Sequence, residues 1–397
     1  MKLVPVDAEL IPLGTPLPFA LRSVAGALLA KKSYIIRSAA ELDHMLGLGV
    51  TLYIDESDHQ REYVGKLHAM LRKEVNLGEI ANAHITADDL KKKAQQDSDE
   101  VDWLGLLARA NAVLRDPQRA SFTKLLDQLH KDISRHALRS PDATLLALMH
   151  LSAKELRSYS ALHAMLVCAM AALAARQVLN WPDEMVDTLG RVALTMNISM
   201  TAMQDELALQ AVPLTDTQKH LIQVHAAFSA EFLKDLGVTD PVWVEGVFHH
   251  LDKTPGPLEP RSPSLRIARL IQRANVFAAM LAPRASRDSM QPSAAMQACY
   301  FDENHGVDEA GAALIKLVGI YAPGTYVRLA TQEVAVVVRR GANTSTPRVA
   351  VLVNRQGMPT AEPMFRDTSQ KDYRIVATVA QRDVKVNLSL ERLMALV

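Results

Sequence analysis

The stretch that most constrains this chain is Leu162 to Leu173, LHAMLVCAMAAL, apolar on most faces of a helix and free of Gly and Pro. A helix without a wet face has to be enclosed, either by other helices or by lipid. Its unbroken apolar run, Leu166 to Ala175, falls far short of the roughly 20 residues a membrane span needs, so enclosure by protein is expected. The surroundings fit: from Trp103 to about Leu317 apolar residues recur three and four apart and Gly is scarce, which reads as a helical bundle. With 49% of 397 residues hydrophobic, the chain has ample material for that core.

Within the bundle the clearest start is Thr215-Asp216-Thr217-Gln218, a capping box. Leu221, Val224, Phe228 and Phe232 then share one stripe, expected to face the core, and Gly237 closes the helix. Both flanks read differently. Before residue 56, short runs such as Ala27-Leu28-Leu29, Ser33 to Ile36 and Val50 to Ile54 are punctuated by Gly14, Pro16, Pro18 and Gly26, as in a small α+β domain. One helix is expected there, opened by the capping box Ser38 to Glu41 and stopped near Gly47 and Gly49. After Pro323-Gly324, the runs Tyr326 to Leu329, Glu333 to Val338, Val349 to Val353 and Ile375 to Val379 predict an antiparallel sheet, continued by Val384 to Leu388. The fold class is therefore mainly α. Residues 1–56 are a small domain, 57–102 a linker, 103–320 the bundle and 321–397 a β appendage.

Charge excludes one class of partner. Lys plus Arg and Asp plus Glu both number 44, leaving no basic excess of the kind that displaces counterions from nucleic acid. The two cysteines, Cys168 and Cys299, are far apart and offer neither a disulfide framework nor metal spacing. Met1 to Leu13 carries Asp7 and Glu9 without an apolar export segment, so a cytoplasmic location is expected.

Histidines are the candidate chemistry. His163 lies on the apolar helix four residues after Tyr159, His225 sits beside the Thr215 stripe, and His249-His250 ends a helix that begins near Pro241. A single His on an apolar face is most often a hydrogen-bonded core residue. The set is more informative, because its spacing resembles the HD-GYP family, a branch of the HD phosphohydrolases. The resemblance implies an HD-type bundle and hydrolysis of cyclic di-GMP at a two- or three-metal centre. It places ligands at His163, His225, His249 and His250. At the family's His-Asp-Ile-Gly-Lys motif this chain reads Met196-Asn197-Ile198-Ser199-Met200, and the family's later Asp is Asn275. The Gly-Tyr-Pro loop has no counterpart, while Arg284 and Arg287 match the family's downstream arginines. The flanks also look like the small domain before, and the β appendage after, HD-GYP modules.

Chemistry turns these departures into an expectation. A metal pair roughly 3.5 to 4 Å apart needs an anionic bridge, and neither the neutral amide of Asn197 nor the thioether of Met196 supplies one for hard ions. The remaining imidazoles predict no required cofactor; if they hold anything, it is a single divalent Zn, Ni, Mn or Fe. Arg284 and Arg287 lie three apart, on one helix face if the helix persists past Pro283, in a segment that also holds Arg261, Arg266, Arg269 and Arg273. With His249 and His250 they are the expected ligand contacts. The favoured reading is a non-catalytic receptor for cyclic di-GMP or a related nucleotide, or for a signalling protein, with homodimerisation in keeping with the family. The alternatives are a phosphodiesterase recruiting Asp205, Glu206 or Asp252, and a scaffold closed by Met196, Met200 and Met280.

Overall fold

The computed structural model describes residues 101–287, 289–380, 383–384, 386 and 388–397, together with 3–6, 11, 13, 17, 19–23, 28–31, 34–38, 42 and 52–55. The chain divides into two compact units, Met1–Asp102 and Trp103–Val397. In the first, strands β1 (Leu3–Val6), β2 (Leu21–Arg22), β3 (Leu28–Ala30) and β4 (Leu52–Asp55) form an antiparallel sheet in the order β1-β4-β2-β3. Leu17, Phe19, Leu21, Ile36, Leu52 and Ile54 are buried in one cluster. The helix expected from the Ser38 capping box, at residues 39–41 with its stop at Gly47 and Gly49, and the tract 56–100 lie outside the described residues.

The second unit is the bundle. Its helices are α1 (Trp103–Arg115), α2 (Phe122–Arg139), α3 (Pro141–Ser152), α4 (Tyr159–Gln177), α5 (Asp183–Thr195), α6 (Thr201–Leu209), α7 (Asp216–Asp235), α8 (Pro241–Phe248), α9 (Pro263–Leu281), α10 (Pro292–Tyr300) and α11 (Glu309–Val318). A single 3-10 turn, Ile198–Met200, joins α5 to α6. Helix α4 contains the apolar run Leu162 to Leu173, and it is buried from Tyr159 to Ala171. It is rich in Ala, Leu and Met, all strong helix formers. Its whole length and composition would suffice to cross a membrane, longer than the apolar run alone suggested. However, 89% of its most apolar window lies inside the protein, as a core helix requires.

Helix starts follow local chemistry. Thr215 caps α7 in the reciprocal box, its side chain accepting from Gln218 N while the Gln218 side chain accepts from Thr215 N at 3.0 Å. Pro241 and Pro263 occupy first-turn positions behind the caps Asp240 and Ser262. The stripe Leu221, Val224, Phe228 and Phe232 is a correction: Leu221 and Phe228 are exposed, and α7 buries His225, Ala226, Ser229, Ala230 and Leu233 instead.

The C-terminal sheet runs β8-β7-β6-β5-β9, with β5 (Tyr326–Leu329), β6 (Val334–Arg339), β7 (Arg348–Val353), β8 (Pro359–Asp367) and β9 (Ile375–Thr378) all antiparallel to their neighbours. Strand β8 is longer than any expected from sequence. The continuation at Val384 to Leu388 forms no strand where it is described, and 385 and 387 lie outside the described residues. A short helix, α12 (Leu390–Met394), packs with Leu146 of α3 against the β6 face. Arg340 Nε donates to Asp142 at 2.5 Å, fastening the sheet to α3.

One buried ion network ties α9 to the start of α11. Arg269, 2% exposed, donates to Asp308 from Nε at 2.9 Å and Nη2 at 2.6 Å, and to Glu303 at 2.9 Å. Arg273 pairs with Glu303 and donates to Phe301 O at 2.9 Å. Asp308 also caps α11 by accepting from Gly311 N at 2.8 Å. Removing Arg269 strands a buried carboxylate, so Arg269→Ala is expected to lower unfolding free energy by about 3–5 kcal/mol in urea titration. A loss under about 1 kcal/mol would show that the network does not hold these elements.

Candidate functional site

Polar side chains from five elements converge beside α4. Helix α4 supplies His163, α9 supplies Asn275, α7 supplies His225, the residue after α5 and its cap is Asn197, and His250 follows the end of α8. His163 Nε2 lies 2.7 Å from Asn275 Oδ1. His225 Nε2 lies 2.8 Å from Asn197 Oδ1 and 3.1 Å from His250 Nε2. The turn bearing Asn197 is fixed to α7 through Ser199, whose Oγ sits 2.8 Å from Ser229 Oγ and donates to His225 O.

Tautomers follow from the backbone. His225 Nδ1 is 2.7 Å from Ile222 O and His250 Nδ1 is 2.7 Å from Val247 O. A carbonyl only accepts, so each Nδ1 carries the proton, and in a neutral ring each Nε2 presents a lone pair. Two lone pairs therefore face each other across 3.1 Å in the interior. The rings are held neutral. Burial, with His225 and His163 nearby, brings His250 down to about 3; burial, with Arg284 adding, brings His163 to about 4; burial lowers His225. His163 Nδ1 is buried without a partner. Tyr159 stacks on this ring, centroids 5.6 Å apart, and Arg284 lies over Tyr159 at 5.3 Å while donating to its hydroxyl at 3.1 Å. Arg284 Nε is itself buried without an acceptor.

The donor set is imidazole and amide with no carboxylate in hydrogen-bond contact. Facing lone pairs suit one borderline cation such as Zn²⁺ or Ni²⁺, and the neutral amides give a metal pair no anionic bridge. Among the described residues no three His, Cys, Asp or Glu side chains are disposed to hold an ion. The convergence is thus an imidazole pair with His163 alongside.

No family model matches the chain. It is 28% identical over 257 residues to the cyclic di-GMP phosphodiesterase PA4108 of Pseudomonas aeruginosa, covering 62% of this chain and 61% of the relative. Over that span the chain is similar to a cyclic di-GMP phosphodiesterase. It spans about three fifths of the length of that relative. Among solved structures, Bd1817, an HDG"Y"P protein from Bdellovibrio bacteriovorus, aligns with a TM-score of 0.40 and 13% identity, covering 79% of this chain and 98% of that one.

Several expected positions fall elsewhere in this chain. His249 leaves the cluster: as the C-cap of α8 it turns outward, its Nδ1 2.7 Å from Asp252 Oδ2. Helix α9 ends at Leu281, so Arg284 and Arg287 share no helix face; they bracket a tight turn, pairing main chains at 2.8 and 3.0 Å. Only Arg284 reaches the cluster's edge, while Arg287 donates to Ala279 O. The basic segment before them is occupied in ion pairs at Arg269 and Arg273 and in loop carbonyls at Arg261 and Arg266. Met196 and Met200 are buried.

Sequence reasoning missed a groove of about 660 Å³ beside His225. Met200, Met203, Leu221 and Phe228 wall it, and Glu231 and Asp235 stand at its edge. The available signal was the α7 stripe, whose residues sit one position away from the buried face.

The neutral rings give a pH prediction for chelator-treated protein. Folded-state values lie below the ordinary 6.5, so the unfolded chain binds more protons and acid favours unfolding. The contribution is complete above about pH 6.5 and is lost as pH falls toward 4. Melting temperature should drop across this window, and less steeply in His250→Gln. Identical slopes in both proteins would contradict the assignment.

Proposed function

We propose that this chain is a catalytically degenerate HD-GYP-like signalling protein of the cytoplasm, which binds cyclic di-GMP or a related nucleotide without hydrolysing it. The observation that carries the reading is the identity of the groups meeting the imidazoles. They are Asn197 and Asn275, amides where the resemblance requires carboxylates. A bridging anion is what holds two hard ions together and leaves a hydroxide between them. A single ion on His225 and His250 would supply Lewis acidity for phosphate binding.

The placement of the candidate acids favours this reading over their recruitment. Asp205 is buried but accepts from Ser160 N at 2.7 Å, capping the first turn of α4, and Asp252 is bound to half-buried His249. Glu206 is exposed on α6. The nucleotide class is supported by the similarity to the P. aeruginosa cyclic di-GMP phosphodiesterase and by two features here. Arg284 Nε is a buried donor in want of an acceptor, and Phe228, 58% exposed on the groove, offers a face for base stacking. A signalling-protein partner and a homodimer belong to the same proposal.

Calorimetric titration of cyclic di-GMP should give saturable heat, weakened about tenfold or more in Arg284→Ala and less in Phe228→Ala. Unchanged affinity in Arg284→Ala would remove the guanidinium from the site; absence of heat in the wild type would remove the nucleotide.

A further inference from the structure

A small cavity of about 70 Å³ lies where the last turn of α3, the end of α9 and the start of β5 meet, and it shares no lining residue with the imidazole cluster. Met149, Leu281, Val336 and Leu393 give it apolar walls. His150 and Thr325 line it as polar groups, and exposed Ser289 and Met290 stand at its edge.

The fold leaves one of these groups unused. Thr325 N donates to Ala322 O at 3.0 Å and Thr325 O accepts from Val337 N at 2.9 Å, so the turn into β5 occupies its main chain. The hydroxyl remains: Thr325 is 1% exposed and its Oγ1 has no partner. A buried hydroxyl left unbonded is destabilising, and beside a cavity it points to an occupant.

The lining also sets the occupant's charge. Among the described residues that form it there is no Asp, Glu, Lys or Arg. Lys154, four residues after His150, donates its ammonium to Leu388 O at 2.8 Å. Burial, with Lys154 adding, brings His150 down to about 4, so its ring is neutral and offers one donor and one acceptor. An ion entering here would lose its hydration against no counter-charge, which disfavours carboxylates and amines. A carboxamide carries its donor and its acceptor on separate atoms and can serve a hydroxyl and a neutral imidazole at once. The volume is about half that of the ~150 Å³ cavity that takes benzene, so the body of the ligand is only a few heavy atoms.

We propose that this cavity binds a small uncharged carboxamide, its head bonded to Thr325 Oγ1 and the His150 ring and its short alkyl body against Met149 and Leu281.

The probe is propionamide, titrated into the full chain with isotope-labelled methionine methyl groups and followed by methyl NMR. Met149 and Met290 report from the cavity, Met200 and Met203 from the groove beside His225. Saturable shifts are expected at Met149 and Met290 with Met200 and Met203 unmoved. Affinity should fall about tenfold in Thr325→Val, and by a similar factor when propionate replaces propionamide. Thr325→Val keeps the side-chain shape and removes only the unpartnered hydroxyl, so the variant should fold at least as well as the wild type, which its melting temperature verifies. No saturable shift at Met149, as a cavity holding water alone would give, overturns the proposal. Equal affinity for propionate, or equal affinity in Thr325→Val, overturns it as well. Shifts confined to Met200 and Met203 would place the amide in the other groove, with the same consequence.

Discussion

Everything in the larger unit follows from the enclosure of α4. A helix buried on nearly all sides leaves its neighbours no choice but to pack around it, and any polar group it carries must find partners inside. His163 is that group. Its ring is satisfied by Asn275 on one nitrogen and stacked by Tyr159 on its face, and the second nitrogen is left without a partner. The central helix thus fixes both the fold and the position of the chemistry.

The second consequence is electrostatic. Charged groups at this depth must be paired, as Arg269 and Asp308 are, or neutral, as His163, His225 and His250 are. Amides at 197 and 275 add no net charge to that interior. Carboxylates there would call for cations to balance them. In the proposed reading, amides at these positions make no demand for a metal pair, and the imidazoles and Arg284, stacked on Tyr159, remain to meet a ligand.

Much of this was legible in the sequence, for identifiable reasons. Helical periodicity and the Thr215 box located α4 and α7, because both signals are local. The convergence of His163, His225 and His250 was legible through resemblance rather than spacing. What failed depended on contacts distant in sequence or on single-residue geometry. Adjacent residues at a helix end point in different directions, so His249 and His250 part company. Arg269 and Arg273 looked free because their acids lie roughly thirty residues onward, at Glu303 and Asp308. Strand β8 was missed because Pro359 and Pro363 interrupt its pattern, as an edge strand tolerates. The role of Gly190 appears only once His130 is brought against it, where an added Cβ would stand 2.1 Å from the ring.

The central claim is that this site holds a nucleotide without cleaving it. Its most direct test is phosphorus NMR of cyclic di-GMP incubated with stoichiometric protein and excess Mn²⁺. The account predicts that the phosphodiester resonances of the cyclic dinucleotide shift or broaden on binding and persist without new signals. Growth of a phosphomonoester resonance, in proportion to protein and abolished in His250→Gln, would contradict it.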